Sequence, residues 1–401
     1  EVIQLEKEMR TSRRLITLCV YAAFFLIGIT VTVFGPTMSY LMEDYNVGLA
    51  QAGLLVTFMA LGRMLLVVFC GILSDYIGSK WVVIMGTACL ATGLIGIGSL
   101  SLFPWALFFA FIAGIGHGAV DTAASSTMLE LYPDKASSAL NRANMFYAIG
   151  CLVGPLISGT ILSFTSFWRI IYYINATVGL IITLSIAFQT FPRRAEAGQK
   201  TQIWAFREIY TSACVWLLAL IMFLYSGSGY SINTWINKYM GDVVKLPVFL
   251  ASGTLAIYNL GLALGRFVCS MVSERLGYNR VILLSSLGGA MSITLALFCK
   301  WVPLTIIGLG FTGFFFGSLF PTAIAIGGGM YPDKKGAITG ILVMTAALGG
   351  MTVPAITGVI SDAVGVGLGM KSLLFWSIAM VVAGAWIFAY RNKSSSSGIS
   401  K

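Results

Sequence analysis

Charge is scarce in this chain. Asp, Glu, Lys and Arg make up 10% of its 401 residues, against about a quarter in an average soluble domain. So few ions cannot cover a water-facing surface, and the 58% hydrophobic content is that of a chain built for lipid. Histidine is nearly absent. The one residue, His117, leaves a His-rich metal site or a Ser-His-Asp triad almost nothing to draw on. No metal-ligand cluster or nucleophile-base set is evident, and no GxxxxGK loop cradles phosphate, so an ATP-driven motor is not encoded here. Neither an enzyme nor a bound cofactor is expected. The seven cysteines (Cys19, Cys70, Cys89, Cys151, Cys214, Cys269 and Cys299) all fall in apolar stretches, and none forms a CxxC pair. They read as small apolar fillers, not as a disulfide framework or a metal site.

What the chain has is long apolar runs. About 20 helical residues cross a hydrocarbon core about 30 Å thick, and twelve runs are long enough. They cover 15–41, 47–73, 81–102, 104–131, 136–163, 168–191, 209–238, 247–273, 280–300, 302–330, 336–362 and 370–390. Several contain Gly and Pro, which spans tolerate where neighbours re-satisfy the backbone. The first run is too long for a signal peptide and lacks a small-residue cleavage site, so it reads as span 1. An all-α membrane protein with the lipid bilayer as its solvent is expected.

A net charge of +10 could suggest a nucleic-acid partner, so the placement of the cations decides. Eighteen of the 25 Lys and Arg fall in the N-terminus, the loops after even-numbered spans and the C-terminus, among them Arg13, Lys80, Lys135, Arg193 and Lys334. Five fall on the opposite side: Arg169, Lys238, Lys245, Lys300 and Lys371. The positive-inside rule then puts both termini in the cytoplasm of a cell membrane, as in a bacterial inner membrane. The basic balance reports topology and excludes a nucleic-acid role.

The chain also repeats itself. Tyr132-Pro133-Asp134-Lys135 recurs 199 residues later as Tyr331-Pro332-Asp333-Lys334. The same shift pairs Gly78 with Gly277, Gly28 with Gly227, and Gly150, Pro155 and Gly159 with Gly349, Pro354 and Gly358. Two pseudo-symmetric six-helix bundles follow, the architecture of a secondary transporter with a site near the midplane. The first bundle covers 1–192, a cytoplasmic linker 193–206, the second bundle 207–391, and a serine-rich, disordered tail 392–401. A monomer is expected.

The loop after span 2 runs Gly71-Ile72-Leu73-Ser74-Asp75-Tyr76-Ile77-Gly78-Ser79-Lys80. It resembles the G-x-L-x-D-x-x-G-x-K/R signature of the major facilitator superfamily, and a degenerate copy, Ser273-Glu274-Arg275-Leu276-Gly277, follows span 8. Gly71 lets helices approach closely, and Gly78 allows a tight reversal. Asp75 can cap a helix N-terminus. With Lys80 and Glu274 these residues make a cytoplasmic gate.

Ionisable residues in mid-span cost several kcal/mol and are functional candidates by default. Asp121 in span 4 lies about 15 Å from the cytoplasmic end at 1.5 Å per residue, and Arg63 in span 2 about 18 Å. Arg266 in span 8 lies roughly 13 Å above Arg275. His117 sits four residues before Asp121, on the same helix face. Low dielectric favours a protonated carboxyl and a nearby cation favours the ionised form, so such a group can exchange a proton when its surroundings change. Asp121 and His117 are therefore candidates for proton coupling. A permanent Arg63–Asp121 pair and a merely packed His117 are the competing readings.

Further motifs narrow the resemblance. Span 4 carries Gly114-Ile115-Gly116-His117-Gly118-Ala119-Val120-Asp121-Thr122-Ala123-Ala124-Ser125. It is similar to the glycine-rich helix of fucose-permease-type transporters, where an acid is followed by T-A-A-N. Leu140-Asn141 with Phe146 and Gly150, Phe223-Leu224-Tyr225-Ser226-Gly227 with Trp235, Gly265-Arg266 and Phe320-Pro321-Thr322 also resemble motifs of that family. The resemblance implies import of a sugar driven by a proton or sodium gradient. It makes Asp121 the coupling acid and places Asn144 and Tyr147 in the sugar cavity. Three departures stand out: Thr32 where fucose permease has a second acid, Gly229 where some relatives have Glu, and Ser125 in place of Asn. One coupling carboxylate remains at most, and fucose itself is not the expected substrate.

A sugar site needs amides, hydroxyls and an aromatic platform. Candidates are Asn144, Tyr147, Tyr225, Asn233, Trp235, Asn237, Tyr258 and Asn259. Trp235 could equally be an interfacial anchor, and Asn259 could be interhelical glue. Two mid-depth arginines, Arg63 and Arg266, suit a carboxylate or phosphate, so an organic anion or acid sugar is a second reading. A third is proton-coupled drug efflux, because Gly150-x-x-x-Gly154-Pro155-x-x-Ser158-Gly159 resembles a motif of drug antiporters.

Overall fold

The computed structural model describes residues 2–132, 136–189, 212–299, 301–330 and 335–396. The expected linker 193–206 lies outside them, as does most of each Tyr-Pro-Asp-Lys copy. The chain is helical. In order the helices are α1 (Val2–Thr32), α2 (Phe34–Tyr45), α3 (Leu49–Ile77), α4 (Ser79–Ser99), α5 (Phe103–Leu131), α6 (Ala136–Phe164) and α7 (Arg169–Ala187). Then come α8 (Ala213–Asp242), α9 (Val248–Leu276), α10 (Tyr278–Phe298), α11 (Val302–Met330), α12 (Lys335–Val364), α13 (Val366–Lys371) and α14 (Leu373–Ser396). Among the described residues there is no strand.

Eleven helices are long and apolar enough to cross a membrane among the described residues. The twelfth span is α3, with a shorter apolar stretch at Leu49–Leu65 and a helix that continues to Ile77. Two expected spans are compound. Span 1 breaks at Val33 between α1 and α2, three residues before Pro36. A proline lacks the N–H that would bond back one turn, and its ring crowds that carbonyl. Gly365, at φ 87°, ends α12, and the last span is α13 followed by α14. α14 runs to Ser396, so the start of the tail expected from 392 is helical.

The described residues form two compact bodies, one from the stretches 1–47 and 54–199 and one from the stretches 48–53 and 200–401. In the first, α4 packs on α5 and α7, and α1 on α6. In the second, α10 packs on α11 and α14, and α8 on α12. These are the same pairings, shifted by half the chain. The repeat reaches individual atoms. A Cβ on Gly62 would collide with the Phe111 carbonyl, and one on Gly114 with the Met59 carbonyl. In the second body a Cβ on Gly261 would strike the Gly310 carbonyl, and one on Gly313 the Tyr258 carbonyl. Each of these partners is displaced by the same 199 positions. Both helix pairs, α3 with α5 and α9 with α11, therefore cross backbone to backbone, which only small residues permit.

Local devices complete each body. Gly78 at φ 87° and Gly277 at φ 81° turn the chain sharply into α4 and α10. Asp44 accepts from the Arg169 guanidinium at 2.8 Å and from the Trp168 indole N–H at 3.1 Å. Arg169 Nη1 also donates to the Gly98 carbonyl at 3.2 Å, joining the ends of α2, α4 and α7. In the second body, Asp362 of α12 accepts from the backbone N–H of Leu49 and Ala50, each at 2.7 Å. Those two groups belong to the 48–53 stretch and open a helix, where a carboxylate satisfies the unpaired donors.

The glycine crossing predicts a contrast. Gly114→Ala drives a methyl into backbone and costs about 1–3 kcal/mol, the usual range for overpacking. Gly253→Ala, in α9 with nothing near its Cβ position, gains up to about 1 kcal/mol of helix propensity. Thermal unfolding of the purified variants checks both signs.

Candidate functional site

In the first body the expected charges meet. Arg63 on α3 donates from Nη2 to Asp121 Oδ2 on α5 at 2.8 Å. The glycine crossing of α3 and α5 brings the two helices close enough for this contact. Both side chains keep about a third of their surface, 31% for Arg63 and 33% for Asp121. The pair is thus reachable rather than sealed. One turn earlier on α5, His117 is buried at 1% exposure, and its Nε2 has no hydrogen-bond partner. A buried polar atom without a partner is uncommon. Asn144 is exposed and Tyr147 half-buried, one turn apart on α6, a helix that packs against α5.

In the second body the candidates lie on α8 and α9. Asn259 Nδ2 donates to Asn233 Oδ1 at 3.2 Å and to its own helix at the Leu255 carbonyl. Arg266 Nη2 donates to the Tyr225 hydroxyl at 3.5 Å, and the Tyr225 ring sits edge-on to Phe316. Asn237 donates to Ser252 at 2.9 Å, leaving Oδ1 without a partner. The hydroxyls of Ser228 and Tyr258 are likewise buried and unpartnered. Ser228 escaped the sequence reading because a lone serine in an apolar helix carries no pattern.

Trp235 is different from what the sequence led us to expect. It is fully buried, its indole N–H donates to the Pro354 carbonyl at 2.9 Å, and its ring lies against Gly358. With the donor used and the ring enclosed, it is a packing residue between α8 and α12 and not an exposed platform.

The residues expected to form a gate are spread. Lys80 donates to the Ala187 carbonyl at 2.8 Å, tying α4 to the end of α7. Gly78 makes the turn before α4, and Glu274 is exposed near the end of α9. Gly71 and Asp75 fall within α3, and their surroundings lie outside what is described. Among the described residues no group of His, Cys, Asp and Glu could hold a metal ion.

Two like bundles of spans, each carrying polar groups inside its helices, define a multi-pass membrane transporter. A sequence profile of the Major Facilitator Superfamily matches residues 20–260 and 254–400, and the chain belongs to that superfamily. It is 23% identical over 366 residues to the inner membrane transport protein YdiN of Escherichia coli K12, covering 89% of this chain and 86% of that one. It is 22% identical to the sodium-dependent glucose transporter 1A of Mus musculus, covering 85% and 88%. Identity to the gentisate transporter of Corynebacterium glutamicum is 25%, covering 90% and 84%. Among solved structures, that of the nucleoside transporter NupG matches with a TM-score of 0.78 at 16% identity, covering 94% of this chain and 98% of that one.

The ion pair predicts a non-additive response. Arg63→Gln alone leaves Asp121 without this cation, and Asp121→Asn alone takes the carboxylate away from Arg63. Breaking a fully buried pair costs about 3–5 kcal/mol; partial exposure reduces that here to about 1–2 kcal/mol. The double variant is less destabilised than the sum of the two, and a double-mutant cycle by thermal unfolding measures the coupling.

Proposed function

We propose that this chain is a secondary active transporter that works by alternating access. It imports a small hydrophilic metabolite, a sugar or sugar derivative, together with a proton. The observation that carries the coupling is the Arg63–Asp121 pair inside the spans, with the orphaned His117 one turn away. Asp121 is an acid in contact with a cation and still about one-third exposed, at 33%. When substrate binds, Asp121 takes a proton and releases Arg63, and the neutral carboxyl permits the inward transition. His117, buried one turn away, is the second residue assigned to the coupling.

The polar character of the second body supports a hydrophilic substrate, because amides and hydroxyls on α8 and α9 suit a polyol better than a lipophilic compound. The relatives include a sodium-dependent glucose transporter and a gentisate transporter, which agrees with a small polar solute and leaves its identity to the site. Charge placement supports cytoplasmic termini. The loops that carry Lys80 and Glu274 then face the cytoplasm.

Reconstitution in liposomes tests the coupling. Radiolabelled hexoses, hexonates and nucleosides are offered under an inward proton gradient, and the solute accumulated most is carried forward. Asp121→Asn loses gradient-driven accumulation and keeps counterflow exchange. Accumulation that survives in this variant refutes the assignment. A sodium gradient that replaces the proton gradient with equal effect would reassign the coupling ion.

A further inference from the structure

α8 and α9 face each other with polar groups at matching heights. Along α8, Tyr225, Gly229 and Asn233 recur every four residues and share a face. Along α9, Asn259 and Arg266 are seven residues apart, close to two full turns. The faces meet in two rungs, Asn233 with Asn259 at 3.2 Å and Tyr225 with Arg266 at 3.5 Å. At 1.5 Å per residue the rungs are about 10–12 Å apart along the helices.

The stretch between the rungs is unfinished. α8 offers no side chain there, only Gly229. Beyond its own helix backbone and chain neighbours, one atom lies within 4 Å of where its Cβ would be, the Tyr258 hydroxyl at 3.2 Å. Tyr258 is fully buried at 0% exposure, and its hydroxyl has no hydrogen-bond partner. Buried hydroxyls are almost always satisfied, and leaving one unmet in low dielectric is costly. An unmet donor aimed at a glycine is the geometry of a group that waits for a ligand.

The chemistry of the two rungs differs. The Arg266 guanidinium and the Tyr225 hydroxyl present several N–H and O–H donors, which match the two oxygens of a carboxylate. At 3.5 Å their own bond is at the long limit, and shorter charge-assisted bonds to an anion replace it readily. The Asn233–Asn259 rung offers donors and acceptors together, which is what a hydroxyl needs. No member of the ladder is acidic, so nothing in it repels an anion.

We propose that this ladder is a binding site for a hydroxylated carboxylic acid. The carboxylate sits at Arg266 and Tyr225, and the hydroxyl groups sit at Tyr258 and the Asn233–Asn259 pair. The assignment rests on the transporter reading above and narrows its substrate to a sugar acid or a similar hydroxy acid.

The test uses the purified full chain in lipid nanodiscs, titrated with D-gluconate and D-glycerate. Each is compared with the matching polyol, sorbitol or glycerol, and the matching plain acid, hexanoate or propionate. At least one hydroxy acid binds about tenfold or more tighter than both of its comparators. Arg266→Gln removes its advantage over the polyol. Tyr258→Phe deletes an oxygen that makes no bond in the free protein, so the fold is kept, and the hydroxy acid binds several-fold more weakly. Hydroxy acids that bind no better than their comparators, including the case in which nothing binds, overturn the proposal. So does a full advantage in both variants. If a neutral hexose is driven by the proton gradient while both hydroxy acids stay inert, the transporter reading stands and the acid assignment fails. If a hydroxy acid binds as described but no gradient drives it, the site stands and the proton coupling fails.

Discussion

A charge inside a bilayer has to be met by another group, and in the first body that constraint falls on two helices. Arg63 and Asp121 stand in spans whose other side chains are overwhelmingly apolar, and they meet at 2.8 Å. They can do so because α3 and α5 touch through Gly62 and Gly114, where a side chain on either would strike the other's backbone. Packing and charge are thus one arrangement. Without the glycines the helices separate, and the arginine and carboxylate would each be left in a medium that tolerates neither alone.

The same scaffold is built twice and used differently. Gly261 and Gly313 repeat the crossing in the second body with partners at the same offset. The positions that carry charge in the first body do not repeat. Leu262 stands where the first body has Arg63, Phe320 where it has Asp121, and Phe316 where it has His117. Tyr258, whose carbonyl receives the glycine, stands where the first body has Met59. Shared positions build the crossing, and the unshared ones give each body its own chemistry: an ion pair in one, amides and hydroxyls around Arg266 in the other.

Much of this was legible in the sequence, and the reason is geometric. A span has a fixed rise per residue, so counting from the loops placed Arg63 and Asp121 at similar depth, and the structure brings them together. The repeat matched the helices of the first half to those of the second, since loops and packing glycines kept their spacing. What counting could not give is rotation about the helix axis and the partner across it. Trp235 read as a platform or an interfacial anchor, being aromatic among polar neighbours, but its indole N–H turns toward the Pro354 carbonyl. Tyr258 was one polar candidate among many until its unmet hydroxyl singled it out. The crossing at Gly62 and Gly114 was not read because 45 glycines offer too many choices.

The central claim is that Asp121 gives up and regains a proton against Arg63. pH-dependent infrared difference spectroscopy on the protein in lipid observes that carboxyl directly. The account predicts a protonated-carboxyl band that appears on acidification in the native chain, moves in Arg63→Gln and is missing in Asp121→Asn. Spectra that superimpose for the native chain and Asp121→Asn across the working range would contradict it.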